Sequence, residues 1–174
     1  MTSRCALFLD IDGVIGGYKY QMDIVSRAGL RGRDSVDPSL MLEPVLIDRL
    51  NRIICGLSVT VVLSSSWRQG YPFGMIRRWM KDRGFDGDLH SYTQNLGGDR
   101  ADEIRAWLHA HPDVDRCVIL DDQEDAGLGM EHCFVQTDPS IGLTDEDVKR
   151  ARPTLFISVP RLWLKFQQGV FSKM

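Results

Sequence analysis

The sequence predicts an α/β fold in which a central parallel sheet is flanked by helices. Two observations lead to this prediction: short apolar runs alternate with amphipathic segments, and three of the apolar runs end directly in polar or acidic residues. Strands that alternate with helices in this way form parallel sheets covered on both faces. Ligands of such sheets bind beyond the carboxyl ends of the strands, so the polar residues there are candidates for a functional site.

Four segments are predicted to be strands. They are residues 5–9, 59–63, 117–120 and 133–136, and the second is the clearest β-branched run in the chain. The first three are followed by Asp10-Ile11-Asp12, Ser64-Ser65-Ser66 and Asp121-Asp122. We therefore expect these polar residues to share one edge of the sheet.

The segments between the strands carry helix signals. A helix is predicted over residues 37–55, because Asp37-Pro38 can cap and open it and Gly56 can close it. Further helices are predicted over residues 74–82 and 99–109, and a last short helix is opened by Thr144-x-x-Asp147. The segment 13–37 contains three early glycines and is predicted to be an irregular excursion.

The length of 174 residues fits one compact domain. We expect a main domain over residues 1–151, with a small flap insertion at about 14–36 and no large cap domain. Residues 152–174 are expected to form a C-terminal extension that packs on this domain. Four apolar residues of the extension have helical spacing, namely Trp163, Phe166, Val170 and Phe171.

Composition excludes several classes of protein. With 43% hydrophobic and 26% charged residues, the chain is typical of a globular protein and not of a disordered one. No apolar run approaches the ~20 residues that span a bilayer, and Asp10 comes too early for a signal peptide, so we expect a cytoplasmic protein. The net charge of −3 argues against a protein that coats nucleic acid through its overall charge. Residues 61–83, however, carry five bases and one acid, so local recognition of a nucleic-acid end by this segment stays open.

Asp10 and Asp12 form the first candidate site. Two carboxylates spaced i and i+2 just past a strand point to the same side, and they repel each other unless a cation lies between them. Mg²⁺ is suited to this arrangement because it prefers carboxylate oxygens, and Gly13 lets the backbone turn sharply after the acids. Asp-x-Asp-Gly by itself also fits a surface turn or a fragment of a calcium loop.

The residues around the site match a known family. The segment that carries Asp10 and Asp12, Leu7-Phe8-Leu9-Asp10-Ile11-Asp12-Gly13-Val14, resembles the first motif of the haloacid dehalogenase (HAD) superfamily, most of whose members are Mg²⁺-dependent phosphotransferases. Val61-Val62-Leu63-Ser64 resembles its second motif and Val118-Ile119-Leu120-Asp121-Asp122-x-x-Asp125 its fourth. The resemblance covers roughly the first 150 residues.

A narrower resemblance points to a small HAD branch that is grouped with Swiss Army Knife RNA-repair proteins. It is carried by Leu63-Ser64-Ser65-Ser66-Trp67-Arg68, by Glu103-Ile104-x-x-Trp107-Leu108, and by Val135-Gln136-Thr137-Asp138 with Gly142-Leu143-Thr144.

The resemblance implies a Rossmann-like HAD fold and specific roles for the acids. Asp10 would be the nucleophile that forms an aspartyl-phosphate, and Asp12 the general acid and base that also offers its backbone carbonyl to Mg²⁺. Asp121 would bind Mg²⁺ together with Asp10 and Asp12. Asp122 and Asp125 would support the ion through water or through the residues that bind it.

Four further residues complete the predicted site. Ser64 would donate a hydrogen bond to the transferred phosphoryl group, and Gly13, Ser65 and Arg68 would contact the substrate. For Arg68, which follows Trp67, a solvated arginine beside a core tryptophan is the alternative interpretation.

Arg100 departs from the family pattern, because the third motif normally supplies a lysine that steadies the aspartyl-phosphate. Arginine is tolerated in the family at this position and can hold phosphate in a bidentate manner. An ordinary charge on a helix face is the alternative interpretation of Arg100.

The sequence therefore predicts a Mg²⁺-dependent phosphomonoester hydrolase, with nucleic-acid ends or nucleotides as candidate substrates and no membrane partner. A non-catalytic HAD-fold binding or regulatory module, such as a pseudoenzyme or a phage accessory protein, is the alternative. A receiver-like phospho-acceptor fits less well, because the order of the acids and lysines along the chain differs. The oligomeric state is not predicted.

Overall fold

A five-stranded sheet whose strands all run parallel forms the centre of the computed structural model, which describes residues 4–32 and 36–157. The strands are β1 (Arg4–Leu9), β2 (Val59–Leu63), β3 (Leu89–Tyr92), β4 (Val114–Asp121) and β5 (Phe134–Gln136). They lie in the order β3-β2-β1-β4-β5. The predicted α/β fold with a parallel sheet is confirmed.

Six α-helices connect and cover the strands in the described part of the chain. They are α1 (Tyr18–Arg27), α2 (Pro44–Ile54), α3 (Trp67–Gly70), α4 (Phe73–Asp82), α5 (Arg100–Ala110) and α6 (Asp145–Thr154). Within these described residues, no helix has both the length and the apolar character that crossing a membrane requires.

The register of the sheet aligns the carboxyl ends of its three central strands. Leu9 at the end of β1 lies opposite Leu63 of β2 on one side and Leu120 of β4 on the other. The pairing continues one residue further, because the Asp10 N–H donates to the Leu120 carbonyl over 3.0 Å and the Ser64 N–H donates to the Leu9 carbonyl over 2.8 Å. The polar residues after these strands therefore meet at one edge, as predicted.

The side chains of the central strand alternate between two apolar layers. Leu7 and Leu9 pack into the larger layer, which includes residues of α2 and α4, whereas Phe8 packs on the opposite face with Trp107 of α5. The Phe8 and Trp107 rings meet edge to face with centroids 5.3 Å apart. Full burial of each such side chain stabilises the fold by about 1.5–3 kcal/mol, so the strand that carries Asp10 is firmly fixed on both faces.

The prediction of an irregular segment over residues 13–37 is wrong for residues 18–27, which form α1. Gln21 and Val25, four residues apart, are the buried positions of this helix. Its first turn is tied to a distant loop, because the Tyr18 and Lys19 N–H groups donate to the carbonyls of Pro139 and Ser140. The early glycines precede this helix and do not interrupt it.

The helix predicted over residues 37–55 is shorter than expected. Asp37 caps only a 3₁₀ turn over Pro38–Met41, by accepting a hydrogen bond from the Ser39 N–H over 2.9 Å. The chain is extended at Glu43 and α2 begins at Pro44. A proline disfavours the helical conformation of the residue before it, and this explains the interruption.

The other predicted elements are found with small changes of boundary, and two short elements were missed. Helices α4 and α5 cover the predicted segments, β4 is longer than predicted, and α6 has the expected capping box between Thr144 and Asp147. Strand β3 and helix α3 were not predicted. The predicted C-terminal extension lies outside the described residues from residue 158 onward.

Candidate active site

The edge of the sheet at the carboxyl ends of β1, β2 and β4 holds a cluster of buried polar groups. Asp10 directly follows β1, Ser64 directly follows β2, and Asp121 is the last residue of β4. All three side chains are buried. The sheet register, and not proximity along the chain, brings these residues together.

Three carboxylates converge at this edge. One oxygen from each of Asp10, Asp121 and Asp122 lies within 4.8 Å of the other two. We call these three residues the acidic cluster. Of the predicted metal ligands, the structure thus brings together Asp10 and Asp121, and it adds Asp122, which was predicted only as a supporting residue. Asp12 and Asp125 are outside this cluster.

Burial makes the charged forms of these acids unfavourable. It raises the pKa of Asp10 to about 6, against the opposing effect of Arg100 and of the hydrogen bonds from Ser65 and from the Ile11 N–H. It raises the pKa of Asp121 to about 8, and the neighbouring charge of Asp10 adds to the increase. The cluster in its metal-free form therefore holds protons at pH values at which exposed carboxylates are ionised.

Arg100 at the start of α5 is the cation of the site. Its Nη1 lies 3.4 Å from Oδ1 of Asp10 and its Nε lies 3.3 Å from Oδ2 of Asp121, while Nη1 also donates to the Ser64 carbonyl. Burial alone would lower the pKa of Arg100, but the charges of Asp10, Asp121 and two further acids, Glu103 and Asp125, raise the pKa overall. The structure thus places Arg100 between the ends of the three central strands.

Asp125 contacts the backbone at the beginning of α5. Its carboxylate accepts a hydrogen bond from the Arg100 N–H over 3.3 Å. A carboxylate at the N-terminus of a helix is stabilised by the unpaired N–H groups there. Asp125 is therefore placed to fix the position of α5, and with it the start of the Arg100 side chain.

The acidic cluster fits a divalent cation. Asp121 Oδ2 is buried and, among the described residues, receives no hydrogen bond, although it lies near the Arg100 guanidinium. Three carboxylates face a single arginine, which leaves an excess of negative charge when all are ionised. Since every ligand atom that the cluster offers to a metal ion is a carboxylate oxygen, the site suits a hard cation such as Mg²⁺.

Asp12 has a different environment from Asp10. Its Oδ1 accepts a hydrogen bond from Gln21 Nε2 over 2.9 Å, and its Oδ2 accepts one from Trp67 Nε1 over 3.0 Å. Neither donor was predicted to belong to the site. Gln21 lies in the segment that was expected to be irregular, and its contact with Asp12 depends on the docking of α1, for which the sequence has no local signal.

Gly13 makes the turn after the two aspartates, as predicted. Its φ of +71° lies in the left-handed region, and a Cβ atom at this position would lie 2.8 Å from Cβ and Cγ of Asp122. Its carbonyl accepts a hydrogen bond from Thr137 Oγ1 over 2.7 Å. A side chain at position 13 would therefore both strain the backbone and displace a member of the acidic cluster.

Ser64 and Ser65 are buried beside the acids. The hydroxyl of Ser65 forms a hydrogen bond with Asp10. The hydroxyl of Ser64 has no hydrogen-bond partner within the described part of the chain. A buried hydroxyl without a partner is costly, and a bound anion or water would supply the missing contact.

Arg68 lies in the interior of the protein. It forms an ion pair with Glu103, both side chains being only 5–6% exposed, and its Nη1 donates to the Ser65 carbonyl over 2.5 Å. Glu103 also accepts a hydrogen bond from the Leu96 N–H over 3.1 Å. Arg68 thus supports the loop that carries Ser65, and the alternative interpretation of Arg68 as a solvated residue does not fit this burial.

Comparisons with known proteins agree with this geometry. A family model described as "HAD domain in Swiss Army Knife RNA repair proteins" matches residues 6–148. The matched range contains all the site residues described above, and the match confirms the resemblance to this branch. The comparisons with curated proteins and with solved structures found no match.

Proposed function

Since the chain belongs to the family of HAD domains in Swiss Army Knife RNA repair proteins, we propose that it is a Mg²⁺-dependent phosphomonoester hydrolase that acts through Asp10. HAD domains are generally hydrolases of the phosphatase type. The observation that carries the proposal is the convergence of the Asp10, Asp121 and Asp122 carboxylates within 4.8 Å at the end of the central strand.

In this proposal Asp10 and Asp121 would bind the ion, with Asp122 close by, Asp12 adding its backbone carbonyl and Asp125 giving indirect support. When bound, Mg²⁺ would reduce the repulsion between the carboxylate nucleophile and the negatively charged phosphate. Arg100 contributes a fixed positive charge beside Asp10. The unpaired Ser64 hydroxyl is free to donate to a phosphoryl oxygen, and the turn at Gly13 and the hydroxyl of Ser65 shape the pocket around that group.

The reaction has two steps. In the first, a carboxylate oxygen of Asp10 attacks phosphorus, the bond from phosphorus to the leaving oxygen breaks, and Asp12 gives its proton to that oxygen. In the second, a water molecule attacks phosphorus and gives a proton to Asp12. The bond from phosphorus to Asp10 breaks, which releases phosphate and restores both aspartates.

The nucleophile is tested with p-nitrophenyl phosphate. We expect the protein with Mg²⁺ to release phosphate and the Asp10→Asn variant to lose this activity, because a carboxamide is a poor nucleophile. Asp48→Asn is a matched control, since Asp48 is exposed on α2 and, within the described residues, pairs only with Arg52 of its own helix. Equal turnover by the wild type and Asp10→Asn would contradict the assignment, and an inactive wild type would favour the non-catalytic module.

The finer proposal is that the substrate is a phosphorylated nucleic-acid end. It is supported by the description of the matched family. We expect 3′- or 5′-phosphorylated oligonucleotides to be turned over with a higher kcat/KM than free mononucleotides and sugar phosphates. A panel with the reverse order would rule out nucleic-acid ends while leaving the phosphatase assignment in place.

A further inference from the structure

Asp12 accepts two hydrogen bonds from neutral donors on separate helices. Gln21 of α1 contacts one carboxylate oxygen over 2.9 Å, and Trp67 of α3 contacts the other over 3.0 Å. An indole N–H is a donor only and does not titrate, and the amide of glutamine carries no charge. The two side chains therefore orient the carboxylate of Asp12 without neutralising it.

Both donors are fixed by their own surroundings. The buried indole of Trp67 packs against Tyr71 and Trp79, with ring centroids 5.3 and 6.3 Å away. The amide of Gln21 is also buried, and it occupies space that is left by Gly16, where a Cβ atom would lie 2.6 Å from Gln21 Nε2. Side chains locked by packing hold their partners in a narrow range of geometries.

The contacts of Asp12 contrast with those of Asp10. Asp10 lies with the other two acids of the cluster and 3.4 Å from Arg100. Asp12 is only two residues further along the chain, yet its carboxylate is held between an indole and an amide. The two neutral donors thus hold a carboxylate that is not one of the three acids of the cluster.

We infer that Trp67 and Gln21 are positioning residues, which hold the Asp12 carboxyl group in place so that its protonated form can give its proton to the leaving group. The inference rests on the proposed phosphatase function and adds two residues to it. It stands on the hydrogen bonds and packing of these side chains. Displacement of a reacting group by about 1 Å can reduce a rate by about 10²-fold, so such positioning has a measurable effect.

The dependence on the leaving group distinguishes positioning of a proton donor from general structural support. The p-nitrophenolate ion departs readily without a proton, whereas the alkoxide of an alkyl phosphate requires one. Weaker positioning of Asp12 therefore slows hydrolysis of an alkyl phosphate much more than hydrolysis of p-nitrophenyl phosphate. The ratio of the two kcat/KM values reports this difference directly.

The test compares Trp67→Phe and Gln21→Met with the wild type on p-nitrophenyl phosphate and glycerol 2-phosphate in the presence of Mg²⁺. We expect kcat/KM for glycerol 2-phosphate to fall by about tenfold or more and that for p-nitrophenyl phosphate by no more than about twofold. In an Asp12→Asn background, either change should have no further effect on glycerol 2-phosphate, because the group it positions is already lost.

Trp107→Phe is the matched control. Trp107 is also buried and its indole N–H donates to Ser91 Oγ over 3.2 Å, but it lies in the apolar layer on the other face of the sheet. This variant loses the same kind of hydrogen bond and should leave the ratio of the two kcat/KM values unchanged. Thermal unfolding of each variant establishes that it is folded, and Gln21→Met keeps the test decisive if Trp67→Phe does not fold.

The outcomes separate the inference from the function on which it rests. An active wild type whose variants lose both activities equally, or lose neither, overturns the positioning role alone. A wild type that is inactive on both substrates overturns the proposed function and the inference with it.

Discussion

Two neighbouring aspartates of one short motif have different surroundings, because different parts of the chain pack against each of them. Asp10 is buried beside acids and an arginine, and Asp12 lies between Gln21 and Trp67. The sequence shows both aspartates and their spacing, and it predicts a shared cation. It does not show the neutral partners of Asp12, because these depend on how α1 and α3 pack against the turn.

The raised pKa values of Asp10 and Asp121 predict how stability depends on pH. With values of about 6 and about 8 in the folded protein and 3.8 as the ordinary value, the folded state binds more protons than the unfolded state between about pH 4 and pH 8. The free energy of unfolding of the metal-free protein should therefore lose a contribution from these groups as the pH rises through this range.

Urea denaturation in the presence of a chelator, at several pH values from 5 to about 9, measures this effect. Asp121→Asn removes the more strongly shifted carboxyl group, so this variant should gain stability relative to the wild type as the pH rises. Asp48→Asn, at an exposed position, should follow the wild type. A difference between Asp121→Asn and wild type that is the same at every pH would contradict the prediction.

At the scale of elements, the ends of strands were the most predictable features. Each of the three central strands is an apolar run that stops at a polar group, and the structure places these ends together. Strand β3 was missed because its sequence, Leu-His-Ser-Tyr, lacks an apolar run, and it is recognised only through its pairing with β2. The start of α2 is set by Pro44, which disfavours the helical conformation of Glu43.

The ion pair between Arg68 and Glu103 links three elements of the fold. It joins α3 to α5, and the hydrogen bond from the Leu96 N–H adds the loop before α5. Removal of one partner of a buried pair leaves an uncompensated charge and costs about 3–5 kcal/mol. We expect Arg68→Met to reduce the free energy of unfolding by about this amount.

Urea denaturation distinguishes this structural role from the predicted contact with substrate. The double variant Arg68→Met/Glu103→Gln should recover much of the lost stability, because no unpaired charge is left. Arg77→Met is the control, since Arg77 pairs with Asp88 at the surface and such pairs contribute about 0–1 kcal/mol. If Arg68→Met raises KM and leaves stability unchanged, the predicted role in substrate binding is correct and the structural role is wrong.

At the scale of the whole molecule, the acidic cluster joins distant parts of the chain. Asp10 follows the first strand, and Asp121 and Asp122 come from the fourth. A cation held by all three would bind the folded protein and not the unfolded chain, so it would stabilise the fold by mass action. At a concentration of 100 times Kd this contribution is about 2.7 kcal/mol.

We therefore expect Mg²⁺ to raise the Tm of the wild type. The increase should be larger at pH 8 than at pH 6, because the ion has fewer protons to displace from Asp10 and Asp121. Asp121→Asn should lose most of the increase, and Asp48→Asn should keep it. Equal increases in all three proteins would show that Mg²⁺ acts elsewhere on the molecule.

The position of β1 in the sheet has a consequence for synthesis of the protein. β1 leaves the ribosome before the other four strands of the sheet, yet it needs β4 as one of its two neighbours, and β4 begins only at Val114. Until β4 emerges, β1 has only β2 beside it and one of its edges is uncovered. The nascent chain therefore gains its acidic cluster only after the segment with Asp121 and Asp122 has been translated.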